Sequence, residues 1–251
     1  MVKWISNWFY SWLLLLTLLI VWQISALAVG QPFLFPAPTQ VLSKMIELND
    51  TLLFTHLPAT LAIIITGLSI SLVLGVGLAV AMYKLPLVER AFYPVLIASQ
   101  TIPIIALAPL FVLWFGYGLT SKVVVTVLIT FFPITVSTFD GFRTTKKDYL
   151  ELMKTMGASK WQLFCKVEVP SALPSFLSGM KVAVTLSVIG AAIGEWLGAQ
   201  AGLGYFSRRM MTQFDGAGVF APIVWLSLIG IALFLLIRLL EASLLKWRRT
   251  K

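Results

Sequence analysis

The sequence has few of the residues on which most enzymes and metalloproteins depend. It contains one cysteine, Cys165, and one histidine, His56, in 251 residues. One cysteine excludes an intrachain disulfide, and the two residues together offer no cluster of soft metal ligands. The chain also lacks a glycine-rich loop followed by Lys-Ser or Lys-Thr, which is the usual phosphate-binding pattern. We therefore assign no catalytic residue and no metal ligand, and we expect the chain itself to bind no nucleotide or other cofactor.

Charge is also scarce, and long apolar runs take its place. Charged residues make up 12% of the chain and hydrophobic residues 59%, which is far from the composition of a soluble globular domain. A length of 251 residues allows about six helices of roughly 20 residues and no second soluble domain. We predict an all-α integral membrane protein in which residues 1–251 form a single transmembrane domain. The predicted spans cover residues 12–29, 58–83, 92–115, 122–139, 174–197 and 219–240.

The N-terminal apolar run has two interpretations. Lys3 and the sequence Ala26-Leu27-Ala28 resemble a secretory signal peptide with its small-residue cleavage site. The run 12–29, however, is longer than the apolar core of about 7 to 15 residues that signal peptides use, and nothing downstream forms a soluble exported body. We therefore expect a retained first span.

The third predicted span is irregular. Pro103 and Pro109 each remove a backbone donor, while Gln100 and Thr101 place polar groups near its middle. Such a helix is expected to be kinked or broken. Its polar face either lines a translocation route, because freed carbonyls are tolerated along a water-filled path, or the prolines only shape the packing. Both interpretations stay open at this stage.

Several ionisable residues lie at membrane depth, where each costs roughly 2.5 to 3.5 kcal/mol at a helix centre. Glu195 stands among glycines near the outer end of the fifth predicted span, and we expect a structural or gating role for it rather than substrate coordination. Lys181 and Arg238 lie close enough to their helix ends to reach the interface, and Arg238 is also expected to pair with Glu241. His56 ends an amphipathic surface helix, and we expect it to be solvated.

The distribution of Lys and Arg predicts the orientation. The proposed inner side holds Lys3, the basic residues at 84 and 90, six in the loop 140–173 and four in the tail 246–251. The proposed outer side holds those at 44, 122, 208 and 209. Because cytoplasmic loops of membrane proteins are enriched in Lys and Arg, we expect both termini and the loop 140–173 in the cytoplasm. Topology in the lipid bilayer thus explains the net charge of +9 better than nucleic-acid binding does.

The stretch 148–174 is the longest polar interruption between the predicted spans. Its pattern predicts two short amphipathic helices that are joined at Gly157 and stopped at Pro170. A helix-turn-helix held between two spans is well placed to transmit a displacement of a soluble partner to the transmembrane helices. The alternative is an amphipathic loop that lies on the lipid headgroups.

The spacing within this stretch matches a known pattern. Glu151 is followed by Gly157 and then by Val167, Val169 and Pro170. This order reproduces Glu-Ala-Ala, three residues, Gly, nine residues, Ile, one residue, Leu-Pro, with leucine and methionine in place of the two alanines. The stretch therefore resembles the "EAA" coupling loop of ATP-binding cassette (ABC) importer permeases.

The resemblance implies a type I ABC importer permease fold in the bacterial cytoplasmic (inner) membrane. In this fold the loop enters a cleft on a separate cytoplasmic ATPase, which binds ATP and Mg²⁺. The residues implied at this contact are Glu151, Met156, Gly157, Ala158, Ser159, Lys160, Trp161 and Pro170. The residues that we assign to a translocation path or gate are Gln100, Thr101, Pro103, Pro109 and Glu195.

The resemblance extends over nearly the whole chain. The runs LFPAP (34–38), PIIALAPLFVLWFGYG (103–118), FFPI (131–134) and GAAIGEWLGAQAGLGY (190–205) resemble the subgroup that imports sulfonates, taurine, nitrate and thiamine-precursor pyrimidines. Within it they are most similar to hydroxymethylpyrimidine or aminomethylpyrimidine permeases. This implies an extracytoplasmic solute-binding lipoprotein, two ATPases and a second permease subunit, most simply an identical one. The alternatives are a permease for taurine or alkanesulfonate, nitrate or riboflavin and, in another class, a gated channel.

Overall fold

The computed structural model describes residues 2–246, with side chains from Phe9 onward. This part of the chain contains helices and no strand. The helices are α1 (Val2–Val29), α2 (Pro38–Glu47), α3 (Asn49–Lys84), α4 (Pro86–Ser99), α5 (Ile104–Phe115), α6 (Leu119–Arg143), α7 (Lys147–Thr155), α8 (Lys160–Gly198), α9 (Leu203–Thr212) and α10 (Gly216–Leu244). The Lys3 side chain and the basic tail beyond residue 246 lie outside the described residues.

The chain divides into two compact units. The first comprises Met1–Ala59 and Ala201–Leu226, and the second comprises Thr60–Gln200 and Ser227–Lys251. The second unit contains α4 to α8 and most of α3 and α10, so it holds the segment that resembles a coupling loop.

The long apolar helices confirm the prediction of about six spans. Five segments are long and apolar enough to cross a membrane: Phe9–Val29 within α1, and the helices α3, α6, α8 and α10. The helices α4 and α5 pass the same test only as a pair, and they are bent by 102° relative to each other. Counted as one broken span, this pair brings the number to six. The expected break in the third span is therefore confirmed.

The bend between α4 and α5 follows from local chemistry. Pro103 has no backbone N–H and disfavours a helical conformation in the residue before it, so α4 ends at Ser99 and a new helix begins after the proline. Ser99 Oγ donates to Leu96 O at 2.7 Å, and Thr101 Oγ1 donates to Ala98 O at 2.8 Å. Hydroxyls near the break are thus satisfied by the backbone of α4.

A single helix, α8, replaces the short helix and the separate span that the sequence predicts. The predicted stop at Pro170 is wrong, because both Pro170 and Pro174 lie inside α8. They are preceded by a π-helical turn at Phe164–Glu168, in which Val169 N donates to Phe164 O. Pro170 follows directly, at the start of the regular helix, where a missing N–H costs little. The polar segment is therefore helically continuous with the fifth span.

Glycines set the spacing of α6 and α8 in the second unit. A Cβ at Gly179 would lie 2.5 Å from Ser137 Cβ, and a Cβ at Gly141 would lie 2.8 Å from Ala172 O. Small residues of this kind let membrane helices approach closely. Threonine hydroxyls along α6 donate to carbonyls one turn back in the same helix and so remain satisfied inside the packing. They belong to Thr126, Thr130, Thr135 and Thr138.

A charged pair joins α8 to α10. Lys181 Nζ donates to both carboxylate oxygens of Glu241, at 3.0 and 3.1 Å. The expected pairing of Arg238 with Glu241 is wrong, because packing of α8 on α10 places Lys181 against that carboxylate. Mutual pairing offsets part of the cost of holding either charge within a span.

His56 is buried within the first unit. It is 4% exposed, its Nδ1 accepts a hydrogen bond from Gly202 N at 3.1 Å, and its ring lies 4.8 Å from that of Phe206. The expectation of a solvated histidine is wrong, because His56 lies inside α3, which continues to Lys84, and not at the end of a surface helix. A π-helical turn at Leu52–His56 directs the ring towards α9.

A polar cluster links α2 to the residues that precede α10 in the first unit. Lys44 Nζ lies 3.1 Å from Glu47 Oε1 and 3.3 Å from Asp215 Oδ2. Asp215 Oδ1 also accepts a hydrogen bond from Gly218 N at 2.8 Å. The hydrogen bond to Glu47, together with the interactions with Asp215, outweighs desolvation and raises the pKa of Lys44. This lysine is therefore charged at neutral pH and holds the two acidic groups together.

Candidate coupling site

A helix-turn-helix lies where the sequence predicts it. α7 ends at Thr155, and the turn that follows contains Gly157 with φ +79°, a backbone conformation that favours glycine. Ser159 then caps α8: its Oγ accepts from Gln162 N at 3.3 Å, and its own N donates to Gln162 Oε1 at 2.8 Å. This capping box fixes the direction in which α8 leaves the turn. We call residues 147–163 the turn segment.

Large apolar side chains of the turn segment are exposed. Met156 is 74% exposed and Trp161 71%, and Leu152 on α7 is also exposed. Exposed apolar side chains grouped on a polar segment mark an interaction surface. Of the other residues that the resemblance implies at the ATPase contact, the exposed ones are Glu151, Gly157, Ser159 and Lys160, and the half-buried ones are Ala158 and Pro170.

A buried carboxylate ties the base of the turn segment to α3 and α6. Glu168 is 8% exposed, and its carboxylate accepts hydrogen bonds from Tyr83 Oη at 3.0 Å and from Lys84 Nζ. The Phe142 ring stacks on Tyr83 and on Phe164, with centroids 4.9 and 5.9 Å apart. Lys84 Nζ also lies 4.6 Å from the centre of the Phe164 ring. We call these five residues the Glu168 cluster; they join the ends of α3 and α6 to the π-helical turn of α8.

Sequence reasoning missed the Glu168 cluster. The available hint was a glutamate between Val167 and Val169, at the unspecified position between the Ile and the Leu-Pro of the matched spacing. Its partners, Tyr83 and Lys84, lie more than 80 positions earlier at the end of another helix, so no local pattern connects them.

An open groove runs between α7 and the first turns of α8. Its volume is about 930 Å³, and its lining includes Tyr149, Met153, Lys166 and Pro170. α7 therefore packs against α8 without filling the space between the two helices.

The residues predicted for a translocation path do not form one surface. Gln100, Thr101, Pro103 and Pro109 are exposed, at the break between α4 and α5 or on α5. Glu195 is 1% exposed on α8, and its Oε1 accepts a hydrogen bond from Thr60 Oγ1 at 2.7 Å. This burial is what a structural role requires, while a gating role for Glu195 stays a prediction.

Comparison with known proteins identifies relatives along most of the chain. Residues 71–246 match the family described as binding-protein-dependent transport system inner membrane component. The chain is 62% identical over 237 residues to the formylaminopyrimidine transport permease protein ThiX of Halalkalibacterium halodurans, an alignment that covers 94% of this chain and 95% of the relative. It is 37% identical over 235 residues to the riboflavin transport system permease protein RibX of Chloroflexus aurantiacus, which covers 93% and 88% of the two chains.

A solved structure shares the fold. The MetNI methionine ABC transporter, in an inward-facing conformation, matches with a TM-score of 0.52 at 21% identity, over 72% of this chain and 90% of the matched chain. This match confirms the type I ABC importer permease fold, and the family match confirms the resemblance that rests on the spacing from Glu151 to Pro170. The chain therefore belongs to the family of binding-protein-dependent transport system inner membrane components, the permeases of ABC importers.

Proposed function

We propose that this chain is the permease subunit of an ATP-driven importer for formylaminopyrimidine or a closely related thiamine-precursor pyrimidine. The observation that carries the proposal is the 62% identity to ThiX over 94% of the chain. RibX, whose name gives riboflavin as the solute, is only 37% identical over a similar length. A pyrimidine is therefore favoured over riboflavin.

The proposal requires partners on both sides of the membrane. A cytoplasmic ATPase, which binds ATP and Mg²⁺, docks on the turn segment, and a solute-binding lipoprotein delivers the solute from outside. A second copy of this chain completes the path, because two ATPases need two docking segments. Met156 and Trp161 supply exposed apolar area for the docking, and no atom of the described residues lies within 4 Å of a Cβ built at Gly157. The chain itself forms one transmembrane domain and catalyses no reaction.

The distribution of basic residues supports the orientation. Arg143, Lys154, Lys160 and Lys166 lie on or beside the turn segment, and cytoplasmic segments of membrane proteins are enriched in such residues. The proposed topology therefore places the turn segment and both termini in the cytoplasm of a bacterial cell.

Two connections carry motion from the turn segment into the membrane. The first is α8, which continues from Lys160 through the span to Gly198. The second is the Glu168 cluster, which holds the ends of α3 and α6 against the base of α8. When the ATPases close, displacement of the turn segments moves these helix ends together. Rigid-body motion of this kind gives alternating access without chemistry in this chain.

Reconstitution tests the proposal. The permease, its ATPase and its binding protein are assembled in liposomes, and uptake of labelled formylaminopyrimidine is measured with and without ATP. We expect uptake that requires both ATP and the binding protein, with taurine and riboflavin failing to compete. Rapid ATP-independent equilibration would show a channel, and ATP-driven uptake of taurine or riboflavin alone would show that the proposed solute is wrong.

A further inference from the structure

A polar recess lies between α6 and α8, apart from the residues already assigned to a path. Its volume is about 410 Å³, and it is lined by Ser137 and Asp140 of α6 and by Pro174, Ser175 and Ser178 of α8. The volume falls within the range of roughly 300 to 1,000 Å³ that is typical of small-molecule sites. Three hydroxyls and a carboxylate thus line one side of an open space large enough for a single substituted ring.

The hydroxyls of the recess differ from most of the others on the same helices. Thr126, Thr130 and Thr138 of α6 and Thr185 of α8 donate to carbonyls of their own helix. Within residues 9–246, by contrast, the hydroxyls of the recess make no hydrogen bond. They belong to Ser137, Ser175 and Ser178. Their donor and acceptor capacity is available to a molecule in the recess.

The carboxylate of the recess is also available. Asp140 is exposed one turn before the end of α6, and no ion pair or side-chain hydrogen bond to it occurs in the described part of the chain. Three acidic groups elsewhere on the long helices have partners: Glu168 binds Lys84, Glu241 binds Lys181, and Glu195 binds Thr60. Asp140 lies directly after the predicted fourth span, at the end of α6 nearest the turn segment, where water can reach its carboxylate. The recess is therefore a polar opening at the edge of the membrane.

The recess is held by the closest contacts of the two helices. A Cβ at Gly179 would meet Ser137 Cβ at 2.5 Å, and a Cβ at Gly141 would meet Ser175 Cβ at 3.0 Å. The two glycines therefore fix the distance between the walls of the recess. Pro174 and Ser175 also line the groove beside α7, so the recess leads directly to the turn segment. A displacement of α8 against α6 therefore changes the shape of the recess.

We propose that this recess is a solute site on the translocation path, at the end of the spans nearest the turn segment. It takes a small uncharged ring with an exocyclic N–H, such as an aminopyrimidine: the N–H donates to the Asp140 carboxylate, and ring nitrogens accept from the serine hydroxyls. A sulfonate or nitrate meets a like charge at Asp140 and is disfavoured. This inference rests on the proposed function and adds the residues that bind the solute.

The first test is solute uptake by variants of the assembled importer. Asp140→Asn should lower ATP-driven uptake of formylaminopyrimidine at low solute concentration about tenfold, because a hydrogen bond to a charged acceptor becomes one to a neutral group. Ser178→Ala should lower it about threefold to fivefold. The matched control is Thr185→Val on the same helix, whose hydroxyl already donates to Val182 O at 2.8 Å, and its uptake should equal that of wild type.

The second test reads occupancy directly and is independent of turnover. Cys165 is the only cysteine of the chain, so a Cys165→Ser background allows single-site labelling. In that background a Ser178→Cys variant should react with a small maleimide, and formylaminopyrimidine should slow the reaction severalfold. Gln213→Cys, at an exposed position between α9 and α10 and outside the predicted spans, should react equally with and without the solute.

The outcomes separate this inference from the proposed function. If wild type imports the pyrimidine but Asp140→Asn imports it normally and Ser178→Cys is not protected, the recess is not a solute site and the proposed function stands. If wild type imports only taurine or riboflavin, the proposed function is wrong and the solute class assigned to the recess is wrong with it. Protection together with a tenfold loss supports both.

Discussion

The Glu168 cluster predicts an asymmetry between two substitutions of the same ion pair. In Lys84→Met, the Glu168 carboxylate loses its counter-charge while its side chain, 10% exposed, stays buried. Leaving a buried charge unpaired costs about 3 kcal/mol. In Glu168→Gln, the ammonium that remains belongs to a side chain that is 42% exposed, so water can solvate it. The retained Tyr83 bond and this solvation limit the loss to about 1 kcal/mol.

Thermal unfolding and ATP-driven uptake by the assembled importer test this prediction. Lys84→Met should melt at a lower temperature than Glu168→Gln, and Glu168→Gln at a lower temperature than wild type. The number of ATP molecules hydrolysed per solute imported should be highest in Lys84→Met, lower in Glu168→Gln and lowest in wild type. In the variants the ends of α3 and α6 follow the turn segment less closely. A charge exchange, Lys84→Glu with Glu168→Lys, should recover part of both losses. Equal melting and equal coupling in all variants, or a larger loss in Glu168→Gln, would refute the reasoning.

Other parts of the molecule give three further expected results. Gly157→Asp should abolish ATP-driven uptake while the chain still inserts, because an aspartate is strained at φ +79° and adds charge at the docking surface; normal uptake by an assembled complex contradicts this. Gly179→Val should destabilise the chain by about 1 to 3 kcal/mol, since its Cβ would meet Ser137, whereas Gly77→Ala, with open space around it, should not; equal melting of the two is the contrary result. Lys44→Met should lower stability at neutral pH: the folded pKa is raised, so the stabilisation is full below the ordinary lysine pKa of 10.5 and is lost as pH rises through the folded value. A stability difference unchanged at the highest pH contradicts this account.

Local chemistry explains which parts of the fold were predictable from sequence. Apolar runs of span length predict the long helices because backbone groups in lipid need internal hydrogen bonds. The break at Pro103 follows from a missing donor beside polar side chains, and the turn at Gly157 follows from a position that needs positive φ. Each of these features depends on residues close together in the chain.

The errors arise where packing overrides the local pattern. Pro170 usually ends a helix, yet the π-helical turn before it lets α8 continue. His56 has a local pattern that is typical of a surface helix, but Gly202 supplies a buried hydrogen-bond donor from far along the chain. The local pattern pairs Glu241 with Arg238 on the same helix, whereas in the structure Lys181 of α8 binds its carboxylate. The recess at Asp140 likewise depends on which faces of α6 and α8 meet. No local pattern in the sequence specifies how these two helices pack.

The central claim is that this chain imports a thiamine-precursor pyrimidine by coupling its turn segment to an ATPase. The most direct measurement is uptake of labelled formylaminopyrimidine by the reconstituted importer, with wild type and Gly157→Asp compared in the presence and absence of ATP. The account predicts accumulation against a gradient by wild type with ATP only, and none by Gly157→Asp. Equilibration without ATP, or equal accumulation by both proteins, would contradict it.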